Sequence, residues 1–159
     1  MADYFFDSIA LVKNYVKERG SEQVKALLDP SVGNGFYVSH ITVVEVIAAL
    51  NRCARRGDIG EQDTRILIQE FREEIRTLAM IVRVTEEIVE QAADLASRHL
   101  LRGYDAVQLS TAIAVNGQRL VRETEPLSLV SSDAELNIAA ASEGFSVINP
   151  TMGYYRHGF

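Results

Sequence analysis

The chain has 159 residues, of which 47% are hydrophobic and 24% are charged, and its formal net charge is −6. This composition is typical of one folded globular domain and excludes a mainly disordered chain. The negative charge disfavours tight, non-specific binding to nucleic acid, which normally depends on a basic surface. It leaves room for an enzyme whose carboxylates are offset locally by bound cations.

Short apolar segments alternate with segments of helical periodicity along the chain. In chain order, we predict a strand at 4–7, helices at 8–16 and 22–28, a strand at 36–39, helices at 41–55 and 61–78, a strand at 80–84, helices beginning at 85 and at 104 (the latter to 115), a strand at 127–130, a helix at 133–142 and a strand at 145–148. This alternation predicts an α/β fold with a central parallel sheet flanked by helices. We expect one domain over residues 1–150 and a C-terminal tail over 151–159.

The sequence lacks the features of an exported or membrane protein. Its single cysteine, Cys53, cannot form an internal disulfide, and no basic region precedes a long apolar core at the N-terminus. No apolar run approaches the roughly 20 residues that span a bilayer. We therefore expect a cytoplasmic protein with no membrane association.

Acidic residues occupy positions that this fold would bring to one edge of the sheet. Asp7 ends the first predicted strand, and Asp133 follows the fourth. Parallel sheets place ligand sites at the carboxyl ends of their strands. Asp105 opens the helix that begins at 104, and Glu45 lies in a helix that is apolar nearly all round, where an unpaired carboxylate is costly.

Converging carboxylates point to a cation. Two like charges about 4 Å apart repel by roughly 4 kcal/mol at an effective dielectric constant of 20. Such a group is tolerated when its members are protonated or share an ion, and oxygen ligands favour Mg²⁺ or Mn²⁺. Structural zinc prefers cysteine and histidine. Asp7, Glu45, Asp105 and Asp133 are therefore the candidate metal ligands and catalytic residues.

Each of these acids also has a structural explanation. The acid that ends the first strand could form a turn, and Asp105 could favour a helix N-terminus through the helix dipole. Ser132 and Glu135 have the spacing of a capping box, which would make Asp133 a first-turn acid. Glu45 could be paired with an arginine in a buried salt bridge.

Three basic residues, Lys13, Arg98 and Arg102, are candidate contacts for the phosphate groups of a ligand. For Lys13 the alternative is a solvated helix side chain. The tail at 151–159 is aromatic and basic, so its rings could stack on bases. It could equally pack across an oligomer interface or form a disordered end.

Four short segments resemble the motifs of the PIN-domain family, in particular those of VapC-like toxins. In chain order they are residues 5–13 (FFDSIALVK), 42–46 (TVVEV), 102–109 (RGYDAVQL) and 130–136 (VSSDAEL). The fourth has a hydroxyl residue, Ser131, two positions before Asp133. The resemblance extends from residue 5 to residue 150, and four motifs in this order are far more specific than one.

The resemblance implies a three-layer α/β/α, PIN-like fold and a metal-dependent endoribonuclease that hydrolyses RNA phosphodiester bonds. It implies that Asp7, Glu45, Asp105 and Asp133 form the metal site, for one or two Mg²⁺ or Mn²⁺ ions, with Ser131 supporting them. It further implies the toxin of a toxin–antitoxin pair, with a small antitoxin protein as partner. A homodimer is the usual assembly in the family, and the apolar helices between residues 41 and 78 would suit one.

The first motif departs from the family pattern at Ile9, where the family often has Ser or Asn. This removes a hydrogen-bonding group from near the metal and puts metal affinity and activity in question. The alternative function is a catalytically inactive PIN-like scaffold that binds RNA or protein. A receiver-like phosphoacceptor module ranks lower, because it would require paired acids after the first strand and a Lys after the last, and residues 147–150 contain none.

Overall fold

The computed structural model describes residues 1–152, so the predicted tail lies outside the described residues from 153 onward. Within this range the chain forms a parallel sheet and seven α-helices. The strands are β1 (Asp3–Phe6), β2 (Gly35–Ser39), β3 (Ala79–Val82), β4 (Ser128–Val130) and β5 (Ser146–Ile148). The helices are α1 (Ser8–Val12), α2 (Ser21–Leu28), α3 (His40–Arg56), α4 (Glu61–Leu78), α5 (Glu86–His99), α6 (Gly103–Val121) and α7 (Ala134–Ser142).

The sheet has the order β3-β2-β1-β4-β5, and every neighbouring pair is parallel. The central strand is β1, with Phe5 opposite Tyr37 of β2 and Leu129 of β4. The chain extends the sheet first on the β2 side and then on the β4 side. The strand order therefore reverses between β1 and β4, and ligands bind at such a point in parallel sheets.

The alternation of side chains along β1 produces two separate cores. Phe5 packs in one cluster with Leu109 of α6 and Leu136 of α7. Phe6 packs in the other with Leu50 of α3 and Phe71 of α4. Fully burying such a side chain stabilises the fold by about 1.5–3 kcal/mol. The predicted central parallel sheet with helices on both faces is confirmed, and the arrangement is the three-layer α/β/α fold.

Two predicted helix ends are wrong, and tertiary contacts explain one of them. The first helix ends at Val12, not at residue 16. The turn that follows has hydrogen bonds between residues three apart, as in a 3₁₀ helix; for example, Asn14 N–H donates to the Leu11 carbonyl. Tyr15 instead packs edge-to-face on Phe71 with ring centroids 5.4 Å apart. The helix predicted to end at 115 continues to Val121.

The last turn of α6 is fixed to the opposite edge of the sheet. The Arg119 guanidinium lies 2.7 Å from a carboxylate oxygen of Asp3 at the start of β1. It also lies 5.8 Å from the centroid of the Tyr37 ring, which favours a cation–π contact. The first turn of α6 carries Asp105, so this contact helps to hold a helix that begins at the candidate site. In residues 1–152, no helix has the length and apolar character that crossing a membrane requires.

Candidate active site

Asp7 lies directly after β1 and immediately before α1, at the point where the strand order reverses. Its backbone N–H donates to the Val130 carbonyl of β4 at 3.1 Å, and the residue is 3% exposed. Oδ1 accepts from the backbone N–H of Ala10 at 2.7 Å and so caps α1. Oδ2 accepts from the Ser131 hydroxyl at 2.7 Å. Asp7 is therefore both a helix cap and the buried acid of the site.

Ser131 connects Asp7 to the segment that follows β4. Its fully buried hydroxyl donates to Asp7 and accepts from the backbone N–H of Asp133 at 3.0 Å. The Asp133 side chain in turn accepts from the Leu136 N–H at 2.8 Å and caps α7. The capping box considered from the sequence, with Ser132 as the cap, is therefore wrong, because Asp133 occupies that position itself.

Asp105 and Glu45 approach the site from the two helical layers. Asp105 lies in the first turn of α6, and its pKa is raised above the usual value by partial burial and then by the Asp133 charge. The charges of Glu135 and Glu45 raise it further, and the nearby Arg102 opposes them. Glu45 is partly buried in α3 and makes no ion pair with Arg or Lys within residues 1–152. The salt-bridge explanation of Glu45 thus has no support in this range.

Burial dominates the chemistry of Asp7. It raises the pKa of Asp7 to about 6, and the charges of Asp105 and Asp133 act in the same direction. The hydrogen bonds from Ser131 and Ala10 lower it but do not offset the burial. At roughly 1.4 kcal/mol per pKa unit, holding this carboxylate ionised costs about 3 kcal/mol. A site with such a cost is stabilised by any cation that binds the ionised form.

The donor set fits a hard divalent cation. The charges of Asp105 and Asp133 raise the pKa of Asp7, and those of Asp133 and Glu45 raise the pKa of Asp105, so the four acids lie within electrostatic reach of one another. In the part of the chain that the structure describes, no three His, Cys, Asp or Glu side chains are grouped closely enough to hold a metal ion by themselves. Mg²⁺ takes one or two carboxylates and keeps several waters, so it does not require three direct protein ligands.

The structure separates the three candidate phosphate contacts. Lys13 is not solvated: it is buried, and its ammonium lies 3.0 Å from Glu18. Arg98 pairs with Glu143 at 2.7 Å at the C-terminal end of α5. Both cations thus already have an acidic partner within the protein, and their contact with phosphate stays a prediction. Arg102 is exposed at the N-terminus of α6 and acts on Asp105, so it remains a candidate.

A buried polar network beneath the acids was not foreseen from the sequence. The Gln108 side chain donates to the Thr42 hydroxyl at 2.9 Å and to the Tyr104 phenol at 3.0 Å. Burial and the Glu45 charge raise the pKa of Tyr104, so its phenol stays protonated. The available signal was Gln108 itself, an uncharged polar residue within the otherwise apolar stretch of residues 106–109.

Comparison with known proteins places this site within a family. The family model of the PIN domain matches residues 4–141, a range that contains all four acids. The chain belongs to the PIN-domain family. Ribonuclease VapC45 of Mycobacterium tuberculosis is 34% identical to this PIN domain over 117 residues, which cover 74% of this chain and 79% of that protein.

Solved structures support the same fold. A toxin–antitoxin complex from Klebsiella pneumoniae matches with a TM-score of 0.58 and 22% identity, covering 92% of this PIN domain and 97% of that chain. VapBC2 from Rickettsia felis, bound to a promoter DNA fragment, matches with a TM-score of 0.61 and 14% identity, covering 92% and 98% of the respective chains. At these identities the structures establish the fold and not the activity.

The first testable prediction concerns the pH dependence of stability without metal. The folded-state pKa of Asp7, about 6, exceeds the unfolded value, so the folded protein binds more protons. The stability from this group is fully present below about pH 4 and declines as the pH rises through 6. Denaturant unfolding in EDTA measures the free energy of unfolding of both proteins. Between pH 5 and pH 8, this free energy should fall by about 1 kcal/mol more for the parent than for Asp7→Asn.

The control for this measurement is Asp58→Asn, which alters an acid with a half-exposed side chain paired to Arg56. The free energy of unfolding of Asp58→Asn should differ from that of the parent by the same amount over the whole pH range. If Asp7→Asn instead destabilises the protein equally at pH 5 and pH 8, Asp7 acts only as a helix cap and the raised pKa is wrong.

The second prediction isolates the Ser131 hydroxyl. Ser131→Ala removes a hydrogen bond that lowers the pKa of Asp7, so this pKa should rise above its value in the parent. The variant should also lose about 1–3 kcal/mol of stability, because buried partners are left unsatisfied. A carboxyl NMR titration of Asp7 gives the first quantity and denaturant unfolding the second.

Ser110→Ala is the matched control, because Ser110 is also fully buried and donates to the Ile88 carbonyl at 2.7 Å, on the side of α6 that faces α5. It should reduce stability and leave the Asp7 titration unchanged. Equal changes in the pKa of Asp7 in both variants would show that the effect of the Ser131 hydroxyl on this pKa is not specific.

Proposed function

We propose that this PIN domain is a metal-dependent endoribonuclease and the toxin of a toxin–antitoxin pair. The observation that carries the proposal is that Asp7 and Asp133 follow β1 and β4 where the strand order reverses, with Ser131 hydrogen-bonded to both residues. Its support from comparison is the 34% identity to a protein named as a ribonuclease. A fold alone would not carry an activity, since one fold hosts many functions.

The acids of this chain would bind the ion and position the reacting water. A bound Mg²⁺ or Mn²⁺ supplies an activated water and stabilises the charge that develops on the phosphodiester oxygens. Asp7 and Asp133 are the proposed ligands, directly or through water, and Glu45 and Asp105 complete the site or orient the water. Ser131 orients the Asp7 carboxylate through its 2.7 Å hydrogen bond.

The substrate must approach an acidic protein. Each RNA phosphate is repelled by a net charge of −6, and a bound divalent ion reverses the sign of the charge locally. Arg102, exposed beside Asp105, is the proposed phosphate contact next to the ion. Ile9 is 49% exposed on α1, so the departure from the family pattern at this position lies at the surface.

The third prediction tests activity and metal dependence together. Purified protein should cleave unstructured RNA in Mn²⁺ or Mg²⁺, and EDTA should abolish the cleavage. Asp7→Asn should lower the rate at least about a hundredfold, because it removes a ligand charge at the ion. Asp58→Asn, a surface control, should cleave at the parental rate.

The outcomes separate the alternatives. Cleavage that persists in EDTA would rule out the metal mechanism. RNA binding without cleavage in any metal would instead identify a catalytically inactive scaffold. Induced expression in a bacterial host gives a second readout, since the parent chain should arrest growth and Asp7→Asn should not.

The proposed partners are a small antitoxin and a second copy of the chain. Support for the antitoxin comes from the similarity to a structure described as a toxin–antitoxin complex. Support for the homodimer comes from large apolar side chains at the surface of the helices between residues 41 and 78, such as Val44 (67% exposed) and Ile66 (48% exposed). Exposed apolar groups of this kind mark interaction surfaces when they form a patch.

The fourth prediction is that the purified chain sediments at twice its monomer mass at micromolar concentration. Replacing Ile66 with Glu should shift the equilibrium toward monomer if α4 lies in the interface. Val89→Glu on α5, where Val89 is 50% exposed, is the matched control. A parent chain that remains monomeric over the whole concentration range contradicts the homodimer.

A further inference from the structure

Gln108 is a fully buried amide that joins two helices from opposite layers of the fold. It lies in α6, which packs on the face of the sheet that contains Phe5. Its side-chain nitrogen donates at 2.9 Å to Thr42, which lies in α3 on the other face. Both residues are completely buried, and 66 positions separate them along the chain. The bond therefore connects the two helical layers directly.

The two ends of this connection lie next to two of the acids. Thr42 is three residues before Glu45, so it lies about one turn away on the same helix. The second acceptor of Gln108 is the phenol of Tyr104 at 3.0 Å, and Tyr104 immediately precedes Asp105. The amide thus fixes one helix relative to the other at the level of Glu45 and Asp105.

Stability alone does not explain a glutamine at this position. Its neighbours in α6 are apolar, with Ala106 and Leu109 in the same hydrophobic core. The side-chain oxygen of Gln108 has no hydrogen-bond partner among the described residues. A buried acceptor left without a donor reduces stability, and an apolar side chain would avoid that cost. A polar residue that occupies a buried position at such a cost is expected to serve the site.

We propose that Gln108 is a positioning residue, whose amide holds α3 against α6 so that Glu45 and Asp105 stand at the spacing required for a shared divalent ion. Gln108 does not touch the ion or the RNA in this role. The inference rests on the proposed function, because it concerns the same metal site. Beyond that function, it assigns a role to the hydrogen bonds from Gln108 to Thr42 and Tyr104, which join the helices that carry Glu45 and Asp105.

The test compares three changes that remove or keep the connection. Thr42→Val removes the acceptor hydroxyl and keeps the side-chain shape, and Gln108→Met removes the amide at similar volume. Thr42→Ser keeps the hydroxyl and should restore parental behaviour. Replacing residues that hold metal ligands in position typically lowers metal affinity by about 10–100-fold. Calorimetric titration of metal-free protein with Mn²⁺ should therefore show at least about tenfold weaker binding for Thr42→Val and for Gln108→Met.

Thr111→Val is the matched control, because Thr111 is equally buried on α6 and donates to the Val107 carbonyl of its own helix at 2.7 Å. It makes the same chemical change without touching the connection, so its Mn²⁺ affinity should equal that of the parent. With saturating Mn²⁺, the first two variants should keep KM for RNA within about twofold and lower kcat. The double variant Thr42→Val with Gln108→Met should lose no more than Gln108→Met alone, because Gln108→Met already removes the bond that Thr42→Val breaks, together with the bond to Tyr104.

Each result decides between distinct conclusions. Equal Mn²⁺ affinities for Thr42→Val and Thr111→Val, with a parent that binds Mn²⁺ and cleaves RNA, would overturn the positioning role and leave the proposed function intact. Additive losses in the double variant would also overturn it. A parent that neither binds Mn²⁺ nor cleaves RNA would remove the proposed function and this inference together. If Gln108→Met does not fold, the comparison of Thr42→Val, Thr42→Ser and Thr111→Val still decides.

Discussion

The rest of the site depends on one constraint, which is the burial of the Asp7 carboxylate between the ends of β1 and β4. Burial raises the pKa of Asp7 to about 6, so an ionised Asp7 requires compensation at neutral pH. Two short hydrogen bonds, from Ala10 and from Ser131, supply part of it. A bound cation would supply the remainder.

The surrounding structure holds this charge by joining elements that are distant in sequence. Ser131 connects β1 to the segment after β4, and Gln108 connects the two helical layers at the level of the other acids. Arg119 fixes the opposite end of α6 to the first strand through Asp3. These connections place the four candidate acids after strands and within the first two turns of helices, on rigid parts of the fold.

Charge is distributed so that the acids at the site remain available to an ion. Lys13 and Arg98 are paired with Glu18 and Glu143, so neither neutralises the cluster. Arg102 lies close enough to lower the pKa of Asp105, and its guanidinium is exposed. The PIN domain therefore keeps an acidic centre and places one exposed cation beside it. That arrangement suits an enzyme whose polyanionic substrate meets a metal ion at the centre of the site.

The sequence by itself determined the parallel α/β fold, the edge of the sheet that carries the acids, and the four acidic candidates. These follow from local periodicity, from strand-end positions and from motifs that each span only a few residues. Only the tertiary structure decided that Asp7 accepts from Ser131, 124 positions away, and that Gln108 donates to Thr42, 66 positions away. It also decided that Lys13 is buried and paired, and that the first helix ends at Val12, so that Tyr15 lies outside the helix and packs on Phe71. The physical reason is that a hydrogen bond or ion pair between distant residues depends on how whole elements dock, and local propensity contains no information on that docking.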